Sequence, residues 1–240
     1  MNEKEVEKAA EELEEKSPQE VIDWALKKFG DKIALASSFG AEDVALVDIL
    51  IKAKPDAKIF TLDTGRLNEE TYEIWDRLEK KYGITITAHH PDGKKIEALL
   101  KQKGPYSFRE SVDDRRECCS LRKVEPLRWA ISGLDAWITG LRRGQSVTRA
   151  DISKIEVDKA NGGILKVSPL ADWSEKQVWD YIKKNSIPYN RLHDKGYPSI
   201  GCEPCTRAVA PGEDVRAGRW WWENPESKEC GLHGTCRRKK

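Results

Sequence analysis

Between residues 32 and 139 the chain repeats one alternation: a short apolar run, too brief for a helix, then a longer stretch of helical spacing. The runs are Lys32-Ile33-Ala34-Leu35-Ala36-Ser37, Lys58-Ile59-Phe60-Thr61-Leu62, Ile84-Thr85-Ile86-Thr87 and Ala136-Trp137-Ile138-Thr139. Short continuous apolar runs of this kind suit strands buried on both faces, as in a parallel sheet. Residues 43–50, 68–82, 94–103 and 121–132 carry the helical spacing, with Pro126 placed to kink the last. Strands alternating with helices predict an α/β fold with a doubly wound, mostly parallel sheet.

The flanks add to this frame. Residues 3–16 read as a charged helix, and Ser17-Pro18 opens a second that runs through Phe29. Residues 152–167 alternate like an antiparallel pair about Asn161-Gly162-Gly163. Ser174 caps a helix reaching Lys184. Beyond Pro188 the chain is rich in Gly, Pro and Arg. The division expected is an α/β domain over 1–187 and a functional segment with little regular structure over 188–240.

Charge narrows the function. The 42 Lys and Arg nearly cancel the 41 Asp and Glu, leaving +1. That balance argues against bulk nucleic-acid binding, so any anion site must be local. The Glu- and Lys-rich start lacks the apolar core of a signal peptide, and no apolar run approaches a membrane span. The expectation is a cytoplasmic protein with no membrane partner. In that reducing compartment, clustered cysteines serve metals or catalysis more often than disulfides.

Three loops follow predicted strands and therefore share one edge of the sheet, where ligands bind open α/β folds. Ser37-Ser38-Phe39-Gly40-Ala41-Glu42-Asp43 offers hydroxyls, a glycine and a helix N-terminus to an anion. It is neither a Walker A loop nor a dinucleotide fingerprint. Leu62-Asp63-Thr64-Gly65-Arg66 supplies an acid for a ribose or base and a cation for a phosphate. Leu141-Arg142-Arg143-Gly144-Gln145-Ser146 reads as an anion-gripping loop, because guanidinium pairs bidentately with phosphate or sulfate.

The six cysteines fall into Cys118-Cys119, Cys202-Glu203-Pro204-Cys205, and Cys230 with Cys236. Two pairs make four thiols, enough to close a zinc or iron–sulfur site. Adjacent cysteines are poor spacing for tetrahedral zinc, and Cys-x-x-Cys is common to zinc, iron–sulfur and redox motifs, so spacing leaves the centre open. Arg115, Arg116, Arg122, Lys123 and Arg207 stand beside the pairs and would offset the negative charge of four thiolates.

Together, the three loops, residues 116–127, 197–207 and 218–223, and Glu229-Cys230-Gly231-Leu232-His233 resemble the PAPS/APS reductase family, and within it the assimilatory adenylyl-sulfate (APS) reductases. The resemblance spans residues 20–233. It implies an adenine nucleotide alpha hydrolase-like fold with a C-terminal catalytic tail. It implies a [4Fe–4S] cluster on Cys118, Cys119, Cys202 and Cys205 that is not itself redox-active and lies near the substrate sulfate and a catalytic Lys123. It assigns substrate binding to Ser37, Ser38, Phe39, Gly40, Asp43, Asp63, Thr64, Arg66, Arg142, Arg143, Arg216 and Arg219.

The same resemblance makes Cys230 the nucleophile, with His233 near it. A thiolate is a strong nucleophile toward sulfur. Attack on the sulfate sulfur of APS expels AMP and leaves a cysteine S-sulfonate. A dithiol partner, thioredoxin or glutaredoxin, then releases sulfite by exchange. The activity would serve sulfate assimilation and cysteine biosynthesis. Trp220-Trp221-Trp222 is expected to anchor the tail, and Cys236 has no assigned task beyond a weak auxiliary role. A homo-oligomer is expected only by analogy. The alternatives are a reductase of the 3′-phosphorylated PAPS, an ATP-using adenylating enzyme of the pyrophosphatase-loop type, and a metal-binding redox sensor.

Overall fold

The computed structural model describes residues 1–146, 149–224, 228 and 231–232. Two capped helices come first, α1 (Glu3–Leu13) and α2 (Pro18–Phe29). Asn2 with Glu5, and Ser17 with Glu20, form reciprocal capping boxes that satisfy the orphan N–H groups of each first turn. The alternating unit follows as β1 (Ile33–Ala36), α3 (Ala41–Ala53), β2 (Lys58–Leu62), α4 (Glu69–Tyr82), β3 (Thr87–His89) and α5 (Gly93–Lys103). Next come α6 (Val112–Cys119), α7 (Glu125–Ala130), β4 (Ala136–Ile138), the hairpin β5 (Ile155–Asp158) and β6 (Ile164–Val167), and α8 (Glu175–Lys184).

The six strands form one sheet in the order β3-β2-β1-β4-β6-β5. All neighbours are parallel except β5 with β6. From β1 the chain winds outward through β2 to β3, then returns to β4 on the other side of β1. That reversal opens a crevice beyond the carboxyl ends of β1 and β4, the usual ligand position in such sheets. Helix α3 faces it with its N-terminus. This helix buries ten successive positions from Ala41 to Ile51 apart from Glu42, because α2, α8 and the sheet enclose it.

Two expectations shift. The strand expected at 84–87 forms instead at Thr87–His89. Helix α4 ends on Gly83 in the left-handed conformation, and the amides of Ile84 and Ile86 bind the carbonyl and carboxylate of Glu79. Those two donors are spent on the helix end, so pairing starts only at Thr87 opposite Phe60. The helix expected at 121–132 begins earlier, at Val112, and passes through a π turn at Ser120–Val124 before α7. Pro126 lies in the first turn of α7, directly after that π turn. The hairpin turns through Gly162 and Gly163, both at positive φ, as the Asn-Gly-Gly sequence requires. Past Pro188 the described residues hold only short 3₁₀ turns and an isolated bridge between Thr206 and Arg219. No described helix is long and apolar enough to cross a membrane.

Candidate functional site

A cavity of about 700 Å³ occupies the crevice at the carboxyl ends of β1 and β4. The loop after β1 forms its floor. Phe39 is buried at φ 62° and stacks on Trp75 with centroids 5.7 Å apart. That strained position for a non-glycine residue is held by its packing. Asp43 folds the loop onto the start of α3: its carboxylate accepts from the Ser38 amide at 2.6 Å and the Ser38 hydroxyl at 2.7 Å. Burial pushes the Asp43 carboxyl up to about 6, against the pull of the Ser38 hydrogen bonds. Gly140, just past β4, seals this corner. A Cβ there would lie 2.3 Å from Asp43 Oδ1 and 3.0 Å from Glu42 Cβ.

The two adjacent arginines part company. Arg142 has extended backbone (φ −131°, ψ 147°), which sends neighbouring side chains to opposite sides. Arg142 lines the cavity, buried, with Nε 2.8 Å from Glu42 Oε1 and Nη1 donating to the Trp173 carbonyl. Arg143 turns away. Its guanidinium forks onto both oxygens of Glu14 in the loop after α1, and its Nε donates to the Ile152 carbonyl. The expected pair of anion-gripping arginines thus becomes one cavity residue and one that braces the loop from behind.

The other expected residues divide similarly. Ser37, Ser38, Phe39, Gly40, Asp43, Thr64, Lys123, Arg216 and Arg219 line the cavity with Arg142. Asp63 instead accepts from the Gly65 amide and the Tyr72 hydroxyl, both at 2.9 Å. Arg66 stacks on Phe108 at 5.0 Å and donates to the Pro105 carbonyl. It borders a second, smaller cavity.

That second cavity gathers Cys118 and Cys119 from the end of α6 with Cys202 and Cys205 from the 3₁₀ turn Glu203–Cys205 and its cap. Each is a free thiol and 8% exposed. The walls carry Arg66, Arg115, Arg122, Lys123 and Arg219. Burial raises the Cys118 thiol above its ordinary range and pushes Cys205 up to about 12. At Cys202 burial also opposes ionisation, yet Lys123, the Thr64 hydroxyl 3.3 Å away, Arg219 and Arg122 together leave it below the ordinary value. On this wall the buried Arg122 Nε and Trp220 Nε1 find no hydrogen-bond acceptor among the described residues.

Lys123, Arg219 and Trp220 border both cavities. The Arg219 guanidinium lies 4.6 Å from the Trp220 ring and donates to the Ile200 carbonyl at 3.2 Å. It can do so because residue 201 is glycine: a Cβ there would stand 2.4 Å from Arg219 Nη2. Behind Trp220, Arg115 pairs through Nε and Nη2 with Glu223, side chains 0% and 3% exposed. Of the three tryptophans expected to anchor the tail, Trp220 is 1% exposed and Trp221 38%. Cys230, His233 and Cys236 lie outside the described residues. Leu232 is described: it lines the larger cavity, packs beside Leu127 and Trp137, and accepts from Asn161 Nδ2 at 3.0 Å. Sequence reasoning missed Gly140 and Gly201 as close-approach positions, although Gly201 stands in the 197–207 stretch and Gly140 directly precedes the arginine loop.

The family model of the phosphoadenosine phosphosulfate reductase domain matches residues 32–208. The chain belongs to this family. It is 53% identical over 203 residues to adenosine 5′-phosphosulfate reductase of Allochromatium vinosum, covering 85% of this chain and 79% of the relative. It is 49% identical over 219 residues to the protein of that name from Burkholderia cepacia, covering 90% of this chain and 87% of the relative. 5′-Adenylylsulfate reductase 3, chloroplastic, of Arabidopsis thaliana is 49% identical over 95% of this chain, which spans 51% of that relative's length. Among solved structures, phosphoadenylyl-sulfate (PAPS) reductase from Candida auris, in a phosphate complex, superposes with a TM-score of 0.74 at 30% identity. That match covers 87% of this chain and 98% of the other. Candida glabrata FMN adenylyltransferase, TM-score 0.56 at 13% identity, shares the fold alone while covering 89% of this chain and 72% of the other.

Proposed function

We propose that this chain reduces adenosine 5′-phosphosulfate to sulfite and AMP. The observation that carries the reading is the common wall of the two cavities. A nucleotide in the crevice meets the β1–α3 loop, while Lys123 and Arg219 stand where its sulfate would approach the four thiols. The names of the relatives at 49–53% identity point to the same substrate.

The smaller cavity fits a [4Fe–4S] cluster. It offers four free thiols, cationic walls and the buried donors Arg122 Nε and Trp220 Nε1 for an anionic centre, and Cys118, Cys119, Cys202 and Cys205 would hold it. When bound, the cluster supplies negative charge and shape beside the sulfate rather than electrons. Lys123 and Arg219 neutralise charge on the transferred group. In the reaction, the Cys230 thiolate forms an S–S bond to the sulfate sulfur. The bond from that sulfur to the bridging oxygen breaks, and AMP leaves with the electron pair. A partner dithiol, thioredoxin or glutaredoxin, then attacks Cys230 Sγ. Sulfite departs with the S–S electron pair, and the second partner thiol closes the partner's disulfide and frees Cys230.

The test is sulfite release from APS with thioredoxin, compared with PAPS and with ATP. A higher kcat/KM on APS, and none of this turnover in Cys230→Ser, is expected. Full turnover by Cys230→Ser, or pyrophosphate release from ATP, would overturn the reading.

A further inference from the structure

The brace behind the arginine loop reaches outside the matched family segment. Glu14 follows α1, ahead of residues 32–208. Its two carboxylate oxygens take both terminal nitrogens of Arg143, at 2.6 and 2.8 Å. Its backbone carbonyl is held as well. Lys154, whose side chain is 0% exposed, donates to the carbonyls of Glu14 and Lys16 and to Asp172. Helix α1 packs on β5, so this end is tied to the sheet. The Arg143 guanidinium, in turn, holds the Glu14 carboxyl below its ordinary range.

Other side chains of the same stretch face the cavity. Arg142, Gln145 and Arg149 line it. Gln145 closes the loop on itself, accepting from the Arg142 amide and Arg149 Nη1 and donating to the Gly140 carbonyl. The short turn after Arg142 has no regular ladder of its own. On the cavity side it is held by the Gln145 bonds and by Arg142 on Glu42 and the Trp173 carbonyl, and on the outer side by the bond from the Arg143 amide to the Ala171 carbonyl and by the Arg143 side chain. A bidentate arginine–carboxylate fork fixes direction as well as distance, which a lysine or a single bond would not.

From this juxtaposition we infer that Glu14 is a positioning residue for the substrate: through Arg143 it sets the angle at which Arg142 and Gln145 meet a bound nucleotide. The inference rests on the reductase reading above. Because the pair touches no reacting atom, it acts on binding rather than on the chemical step.

The experiment measures AMP affinity by calorimetry and steady-state kinetics with APS and thioredoxin on the full chain. Glu14→Gln and Arg143→Met should each raise Kd for AMP and KM for APS about fivefold, with kcat within about twofold. The double variant should be no weaker than the worse single, since both lesions cut one interaction. Singles that bind AMP as the parent does, or effects that add in the double variant, would overturn the inference. Glu14 is 38% exposed and Glu14→Gln nearly isosteric, so this variant alone decides the matter if Arg143→Met does not fold. A parent protein that binds no AMP and releases no sulfite would strike the reductase reading instead. An active parent with indifferent Glu14 variants would strike only the positioning role.

Discussion

Gly201→Ala places one methyl group against the residue that stands between the two cavities. The added Cβ would lie 2.4 Å from Arg219 Nη2 and 2.5 Å from Cζ. Ordinary carbon contacts begin near 3.5 Å, so the guanidinium must retreat by about 1 Å. That movement lifts it from Trp220, worth about 1 kcal/mol for a buried cation–π contact. It also breaks the charged bond to the Ile200 carbonyl, worth about 1.5 kcal/mol. Stability should therefore fall by about 2–3 kcal/mol, and Tm by about 5–10 °C for a chain of this size. If Arg219 holds the transferred anion, kcat/KM for APS should fall by about 30-fold, the equivalent of about 2 kcal/mol. The decisive assay is a cycle with Arg219→Ala. In that background the obstacle is gone, and Gly201→Ala should add less than about 0.5 kcal/mol to either quantity. Equal losses with and without the Arg219 side chain would refute the reasoning.

Other expectations follow from the same geometry. Asp43 is raised from 3.8 to about 6 in the fold, so the native state binds the extra proton; stability should decline as pH rises through about 4 to 6. Asp43→Asn should flatten that part of the profile, measured by urea unfolding at a series of pH values; an unchanged slope would contradict it. Arg115→Met removes the fork onto the buried Glu223 carboxylate and should cost about 3–5 kcal/mol, whereas Arg115→Met with Glu223→Leu should cost much less. Denaturant midpoints check this, and a double variant as weak as the sum of singles would count against it. Serine at Cys118, Cys119, Cys202 or Cys205 should each abolish a brown chromophore and its iron. Colourless parent protein carrying zinc would contradict the cluster assignment, since zinc has no such absorbance.

The sheet was legible because β1, β2 and β4 are buried on both faces and so read as unbroken apolar runs. Strand β3 slid three residues because Glu79, one helix upstream, captures amides that a local pattern leaves to the ladder. Helix α6 was invisible for a different reason. Its sequence VDDRRECC has no apolar stripe, and the face it buries is Arg115, Cys118 and Cys119. The loops of the candidate site were found because strand ends share one edge. Their side-chain directions were not, since Arg142 and Arg143 are chemically identical and only extended backbone separates them. Gathering of the two cysteine pairs into one cavity is a tertiary fact that spacing could not supply; only the family resemblance implied it.

The central claim is a covalent sulfur intermediate on this chain. Protein incubated with APS in the absence of any dithiol, then digested and analysed by mass spectrometry, tests it most directly. One SO₃ unit should appear on the peptide containing Cys230, with one equivalent of AMP released, and thioredoxin should remove the adduct as sulfite. AMP or sulfite formation with no adduct on Cys230, or an adduct on another cysteine, would contradict the account.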